Sequence, residues 1–336
     1  MARALRFASV ALAIAIALGG ASGSEAEGAM HHRIALVLDP AGFEDVARQE
    51  AAGLERAARD FGVEARIVIQ PVRTSYTSTY RSLARQGYDL LIASSALQIP
   101  GALTAAGSAP KTKFALIDAR AEEINVPLPA NVVALAFREE QIGFAVGYLA
   151  GLVERTRPGP DVVGSVGGFQ WPPVDRFIAG YRAGARRASP RVRNLNAYSG
   201  NFFDPESCER VATAQIAKGA GVVFNVAGRC GLGTLAAAKR HGVFGIGVDQ
   251  DQSSLGLHVL TSALKRFDVA VYRTIELFVR GRLETGRDLF YGLREHALDL
   301  GKVSPRVPPQ LVRRTRVIMG QIESGRIRGI PTTLGD

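Results

Sequence analysis

Short apolar runs alternate along this chain with stretches whose apolar residues fall three and four positions apart. The runs read as strands at Ile34–Asp39, Ala65–Gln70, Asp89–Ser94 and Lys113–Asp118, and again at Asp161–Val166, Val192–Tyr198, Gly221–Val226 and Val243–Asp249. Between them lie helical segments such as Glu44–Phe61, where Ala51, Leu54, Ala58 and Phe61 share one stripe. Alternation of this kind predicts parallel sheets with helices on both faces. Arg138–Arg155, with Ile142, Ala145, Val146, Leu149 and Leu152 apolar, reads as the helix entering the second half. After Asp249 come a strand at Leu257–Thr261, a helix at Phe267–Arg280 and, past Pro305, Pro308 and Pro309, a basic helix around Gln310–Ser324.

The two strand series have nearly the same rhythm. Starts at 34, 65, 89 and 113 are spaced 31, 24 and 24 residues apart; those at 161, 192, 221 and 243 are spaced 31, 29 and 22. Two similar α/β halves predict a two-lobed molecule with a cleft between the lobes. A length of 336 residues suits two domains, each of roughly 150 residues and able to bury its own core.

Composition narrows the class. With 47% hydrophobic and 21% charged residues the chain is neither disordered nor collagen-like. The 41 Lys and Arg against 31 Asp and Glu give a net charge of +10. The arginines are scattered without basic runs or interleaved aromatics, so no nucleic-acid partner is expected. Arg3 and Arg6, the apolar stretch Phe7–Leu18 and the small residues up to Ala26 describe a secretory signal peptide over 1–26. The apolar stretch is shorter than the roughly 20 residues that span a bilayer, and no cysteine precedes Cys208 to take a lipid anchor. A periplasmic or secreted protein is expected. In that setting Cys208 and Cys230 form either one disulfide, worth about 3 kcal/mol by loop entropy, or two buried thiols.

Ligands of open parallel sheets bind beyond the carboxyl ends of the strands. Those ends carry Asp39, Ser94, Ser95, Asp118, Gly167, Gly168, Ser199, Asn225 and Asp249, most of which also serve as turn formers and helix caps. Asp249 stands out because it ends an apolar strand in an acidic cluster, where a carboxylate can accept two hydrogen bonds from a vicinal diol. The loop from Gly228 to Gly233 follows a strand and opens a helix, which suits either amide contacts to a polar ligand or close packing. The sequence contains no G-x-S-x-G, G-x-x-x-x-G-K-[ST] or H-E-x-x-H, and its five histidines have no metal-ligand spacing. No catalytic residue, cofactor or metal is assigned.

Over roughly residues 33 to 331 the chain resembles the basic membrane protein family, purine nucleoside receptor-like substrate-binding proteins of ABC transporters. The markers are IALVLDPAGFED at Ile34–Asp45, GFAVGYLAGL at Gly143–Leu152, Val163–Gly168 followed by Phe177–Tyr181, YSGNFFD at Tyr198–Asp204, VFNVAGRCGLG at Val223–Gly233, IGVDQDQ at Ile246–Gln252, LTSALKR at Leu260–Arg266 and QIESG at Gln321–Gly325. The resemblance implies a type I periplasmic-binding-protein fold, two doubly wound α/β lobes hinged around a ligand cleft. An N-terminal lobe over 33–138, completed by about 262–290, faces a C-terminal lobe over 139–261 with the tail 291–331 packed back. It implies that Phe202 stacks on a base, that Asp249 grips ribose hydroxyls, and that Lys265 and Asp45 reach the ligand. It departs from the family where Arg48 stands in place of a second stacking Phe; Phe43 or Trp171 can supply that ring. The implied partners are a purine nucleoside-like small molecule and the permease and ATPase of an importer, bound by a monomer without chemistry. The alternatives are a sensor of the same fold, or a binder of an anionic or flavin-like ligand drawn by Arg48, Arg229 and Lys265.

Overall fold

The computed structural model describes residues 31–38, 44–70 and 75–335; the expected signal peptide and Phe43 lie outside the described residues. The apolar runs become two six-stranded sheets. In the first, β1 (Arg33–Leu38), β2 (Glu64–Ile69), β3 (Leu90–Ala93), β4 (Lys113–Ile117) and β5 (Val132–Phe137) pair in parallel in the order β2-β1-β3-β4-β5. In the second, β6 (Val162–Gly167), β7 (Arg193–Tyr198), β8 (Val222–Val226), β9 (Phe244–Asp249) and β10 (Val259–Lys265) repeat that order as β7-β6-β8-β9-β10. β11 (Arg287–Tyr291) adds to β5 in parallel, and β12 (Leu298–Leu300) to β10 antiparallel. The central strands are apolar throughout because helices cover both faces, whereas β2 is mostly exposed at the sheet edge.

The helices between them are α1 (Glu44–Phe61), α2 (Tyr76–Arg85), α3 (Ile99–Ala106), α4 (Glu139–Glu154), α5 (Pro172–Ala188), α6 (Pro205–Ala217), α7 (Gly231–Arg240), α8 (Phe267–Val279) and α9 (Pro309–Glu323). The stretch GFAVGYLAGL is explained by α4 against α5. A methyl group on Gly147 would come within 2.0 Å of the Tyr181 carbonyl oxygen, so only glycine lets the two backbones approach this closely.

The chain crosses between lobes at Arg138, at Arg266 and again through residues 292–297. The crossings are tied together where Arg138 N donates to Tyr291 O (2.9 Å) and Arg266 N to Ala297 O (2.8 Å). The return to the first lobe comes at α8, which packs on α1, a few residues later than the expected 262, because β10 completes the second sheet. Cys208 in α6 and Cys230 in the turn before α7 form a disulfide, their Cα atoms 5.6 Å apart. Among the described residues no helix is long and apolar enough to cross a membrane.

Candidate functional site

The carboxyl ends of the two sheets meet at Lys265. This last residue of β10 is buried, and its ammonium donates to Asp118 Oδ1 just past β4 (2.6 Å) and to Glu139 Oε1 at the start of α4 (2.8 Å). The second Glu139 oxygen accepts from Arg176 Nε of α5 (2.7 Å), and Arg176 reaches on to Glu123 of the first lobe. One chain of alternating charges thus runs from the first lobe through two crossings to the second lobe and back. Burial alone would lower the Lys265 pKa, but Asp118, Glu139 and Asp249 together raise it, so the ammonium stays charged. Burial likewise opposes the charge on Glu139, which has no exposed surface, yet Lys265 and Arg176 hold its pKa below the ordinary value.

Asp249 ends β9 beside Leu264 in the register of β10. Its carboxyl is pushed up to about 6, first by burial and then, against the pull of Lys265, by the charges of Asp118 and Glu139. Three carboxylates therefore surround one ammonium, which leaves Lys265 no surplus charge for an anion. Arg48 is similarly occupied: it pairs with Asp45 on α1, and its side chain is 72% exposed. The other Asp45 oxygen accepts from Gln250 Nε2 of the second lobe. A groove of about 390 Å³ runs between the lobes here, lined by Asp45, Arg48, Asp249, Gln250 and Arg266 among others.

Phe202 packs over the end of β6, so close that a methyl group on Gly168 would meet its ring at 2.2 Å. Its carbonyl accepts from Cys230 N (2.9 Å), and Asn201 Oδ1 accepts from the amides of Phe203 (2.7 Å) and Asp204 (2.9 Å). Asp204 then caps α6 through Glu206 N and Ser207 N. The loop that carries Phe202 is therefore fixed at both ends of the Cys208–Cys230 bridge. Trp171 packs beside Phe202, with ring centroids 5.5 Å apart and planes tilted by 49°, and Phe169 meets Phe202 edge-on at 5.3 Å. Trp171 thus buttresses Phe202 from the same lobe and does not face it across a gap, which removes the geometric basis for Trp171 as the second stacking ring. Gly228, with φ +53°, begins the turn at the end of β8. From β6 beneath Phe202 to β9 at Asp249 is two strand spacings, about 10 Å, with Gly228 between.

Reading the sequence missed Asp118, Glu139 and Arg176 as members of this cluster. Asp118 was visible only as one of several polar strand ends. Glu139 looks like an acid favoured by a helix N-terminus, and Arg176 like one of many scattered arginines. Among the described residues no group of His, Cys, Asp and Glu is placed to hold a metal ion.

Comparison with known proteins agrees with this architecture. Residues 33–324 match the family model described as ABC transporter substrate-binding protein PnrA-like. The chain is 31% identical over 284 residues to basic membrane protein A of Borreliella burgdorferi, covering 82% of this chain and 80% of that one. It is 26% identical to the CD4+ T-cell-stimulating antigen of Listeria monocytogenes, covering 88% and 87%. Among solved structures, an ABC transporter solute-binding protein from Aeropyrum pernix superposes with a TM-score of 0.73 at 25% identity, covering 89% of this chain and 94% of that one. An arabinose-binding protein from Geobacillus stearothermophilus shares the fold alone, with a TM-score of 0.64 at 12% identity over 82% of this chain and 98% of that one. The chain belongs to the family of PnrA-like substrate-binding proteins of ABC transporters.

Proposed function

We propose that this protein is exported, its first 26 residues serving as signal peptide, and captures a purine nucleoside between its lobes for delivery to the permease and ATPase of an importer. The observation that carries this reading is the spacing on one cleft wall. Phe202 packs against Gly168 at the end of β6 and Asp249 ends β9, two places along in the same sheet, so an aromatic ring and a carboxylate lie on one wall of the cleft, strand ends about 10 Å apart by ordinary strand spacing. Phe202 stacks on the base, a contact worth about 1–3 kcal/mol. Asp249 accepts from the ribose hydroxyls, while Lys265, held by Asp118 and Glu139, offers its remaining proton to a ribose oxygen. The compensated charge of Lys265 favours an uncharged ligand over a nucleotide. No bond is made or broken: the lobes close on the ligand as a monomer, and the closed form docks on the permease.

Thermal unfolding of the mature protein with adenosine, guanosine, inosine, cytidine and riboflavin tests this. Ligand at a hundred times its Kd adds about 2.7 kcal/mol, which raises the midpoint by roughly 5 °C in a chain of this size. A rise with purine nucleosides alone is expected. A rise with riboflavin alone, or with none of the five, would overturn the proposal.

A further inference from the structure

α4, α5, α6 and α7 each run back from the carboxyl edge of the second sheet and lead into β6, β7, β8 and β9, because parallel strands require such crossovers. Their last turns and the loops after them therefore share the end of the second lobe opposite the cleft. Nearly every charge there is positive. Arg155 and Arg157 follow α4, Arg186 and Arg187 close α5, Arg191 and Arg193 lead into β7, and Lys218 follows α6; all are exposed. Contacts hold these segments side by side. Arg155 Nη1 donates to Ala188 O (3.3 Å), Ser189 Oγ to Asp161, Arg193 N to Asp161 O (2.9 Å) and Arg193 Nη2 to Lys218 O (3.1 Å). Over residues 154–161, 186–193 and 218–221 seven bases meet two acids, a balance of +5 in a chain whose total is +10. Of the two acids, Glu154 is buried and paired with Arg157 (2.8 Å), and Asp161 accepts from Ser189. The edge continues in kind under β9, where Arg306 lies over the Phe244 ring at 5.3 Å, and where burial first, then Lys239 and Arg306, hold the His258 pKa down. The matching edge of the first sheet is balanced: Arg33 pairs with Glu64 (2.9 Å), Arg287 with Glu284 (2.6 Å) and Arg56 with Asp60 (3.6 Å).

We propose that this basic end of the second lobe is a docking surface for an anionic phospholipid bilayer. Arg186, Arg187 and Arg191 carry the argument furthest: among the described residues none of them has an ion pair or a hydrogen bond, so each guanidinium is free to pair with a lipid phosphate. Gathering like charges at one end opposes the compact state, and an anionic surface relieves that repulsion. The layout suits a broad charged plane. The bases come from the ends of three helices, and the three segments contain no aromatic residue on which the bases of a nucleic-acid strand could stack. Seated in this way, the protein keeps its cleft, at the carboxyl ends of the same strands, turned away from the bilayer and open to ligand. The inference goes beyond ligand capture and holds for whatever ligand the cleft takes.

The test is co-sedimentation of the mature protein with vesicles of phosphatidylcholine alone and of phosphatidylcholine mixed with phosphatidylglycerol. Wild type is compared with a triple variant, Arg186→Gln, Arg187→Gln and Arg191→Gln. A control triple, Arg59→Gln, Arg85→Gln and Lys111→Gln, removes the same charge from exposed positions of the first lobe. Thermal unfolding of all three proteins checks that each is folded. Wild type is expected to bind only the vesicles with phosphatidylglycerol, and to be released as salt rises from about 0.01 to about 1 M and the screening length falls from about 30 to about 3 Å. The second-lobe triple should bind about a hundredfold more weakly, roughly fivefold for each arginine, while the control stays within about twofold of wild type. No binding of wild type to the anionic vesicles, or equal weakening in the two triples, would overturn the proposal. So would binding to a duplex oligonucleotide as tight as to those vesicles, since the surface would then be reading phosphate chains in general.

Discussion

Asp118 and Asp249 occupy the same place in the two lobes, at the carboxyl ends of β4 and β9, and both are held in the left-handed region, with φ of 57° and 64°. That conformation is costly for a residue with a Cβ. It turns each carboxylate back over its own strand end, toward Lys265, and its recurrence at paired positions indicates that orientation of the carboxylate is what the strain secures. Asp249→Gly is expected to stabilise the free protein by about 1 kcal/mol through relief of that strain. The same change should weaken nucleoside binding at least about tenfold, the cost of a charge-assisted hydrogen bond. Chemical denaturation and calorimetric titration, run side by side, check the opposite signs.

The raised pKa of Asp249, about 6, sets a window of pH. The folded protein holds this proton above the pH at which the unfolded chain releases it near 4. This group's contribution to stability is therefore full below about 4 and lost as pH rises through about 6. Ligand affinity runs the other way, because the ionised carboxylate is the better acceptor: nucleoside binding should strengthen between about pH 5 and 7. Asp118, Glu139 and Lys265 share the field, so Asp249→Asn is the control, and titrations across this range should be flatter in that variant.

Lys265→Met tests the buried charge chain. Methionine fills much of the same volume, yet Glu139 loses its 2.8 Å contact and keeps Arg176 and the more distant Arg120, while Asp118 loses its 2.6 Å partner. Removing one member of a buried ionic cluster costs about 3–5 kcal/mol. Urea denaturation should show a loss in this range, and restoring charge with Lys265→Arg should recover only part of it because the planar guanidinium cannot reproduce both contacts.

Replacing both Cys208 and Cys230 by alanine should cost about 3 kcal/mol by loop entropy. The change should also speed hydrogen exchange at Phe203 and Asp204, whose amides are held by Asn201. Exchange in β1 and β5 of the other lobe should stay as in the wild type when measured under native conditions.

Much of this was legible in the sequence because period and punctuation survive folding. Glu44–Phe61 has the same bounds as stripe and as helix, and the apolar run that closes at Asp249 is a strand ending there. Three strands were not foreseen. Val132–Phe137 runs into the apolar face of α4 almost without a break, while Arg287–Tyr291 and Leu298–Leu300 are short and take their strand character from β5 and β10 beside them. Asp249 stands out locally as the acid ending an apolar strand, whereas Phe202 and Lys265 came forward as candidates only through the family resemblance. The Glu139–Arg176 pair, 37 residues apart, arises only when two helices are brought together.

The chain has a single tryptophan, Trp171, half in solvent and half against Phe202. Its emission comes from one place, the ring bordering the proposed stacking face, undiluted by any other indole. A titrant that settles on Phe202 changes the polarity and quenching around that indole directly, so wavelength and intensity become a label-free optical signal of occupancy. The same signal, followed in stopped flow, separates the arrival of ligand from any slower rearrangement that follows it.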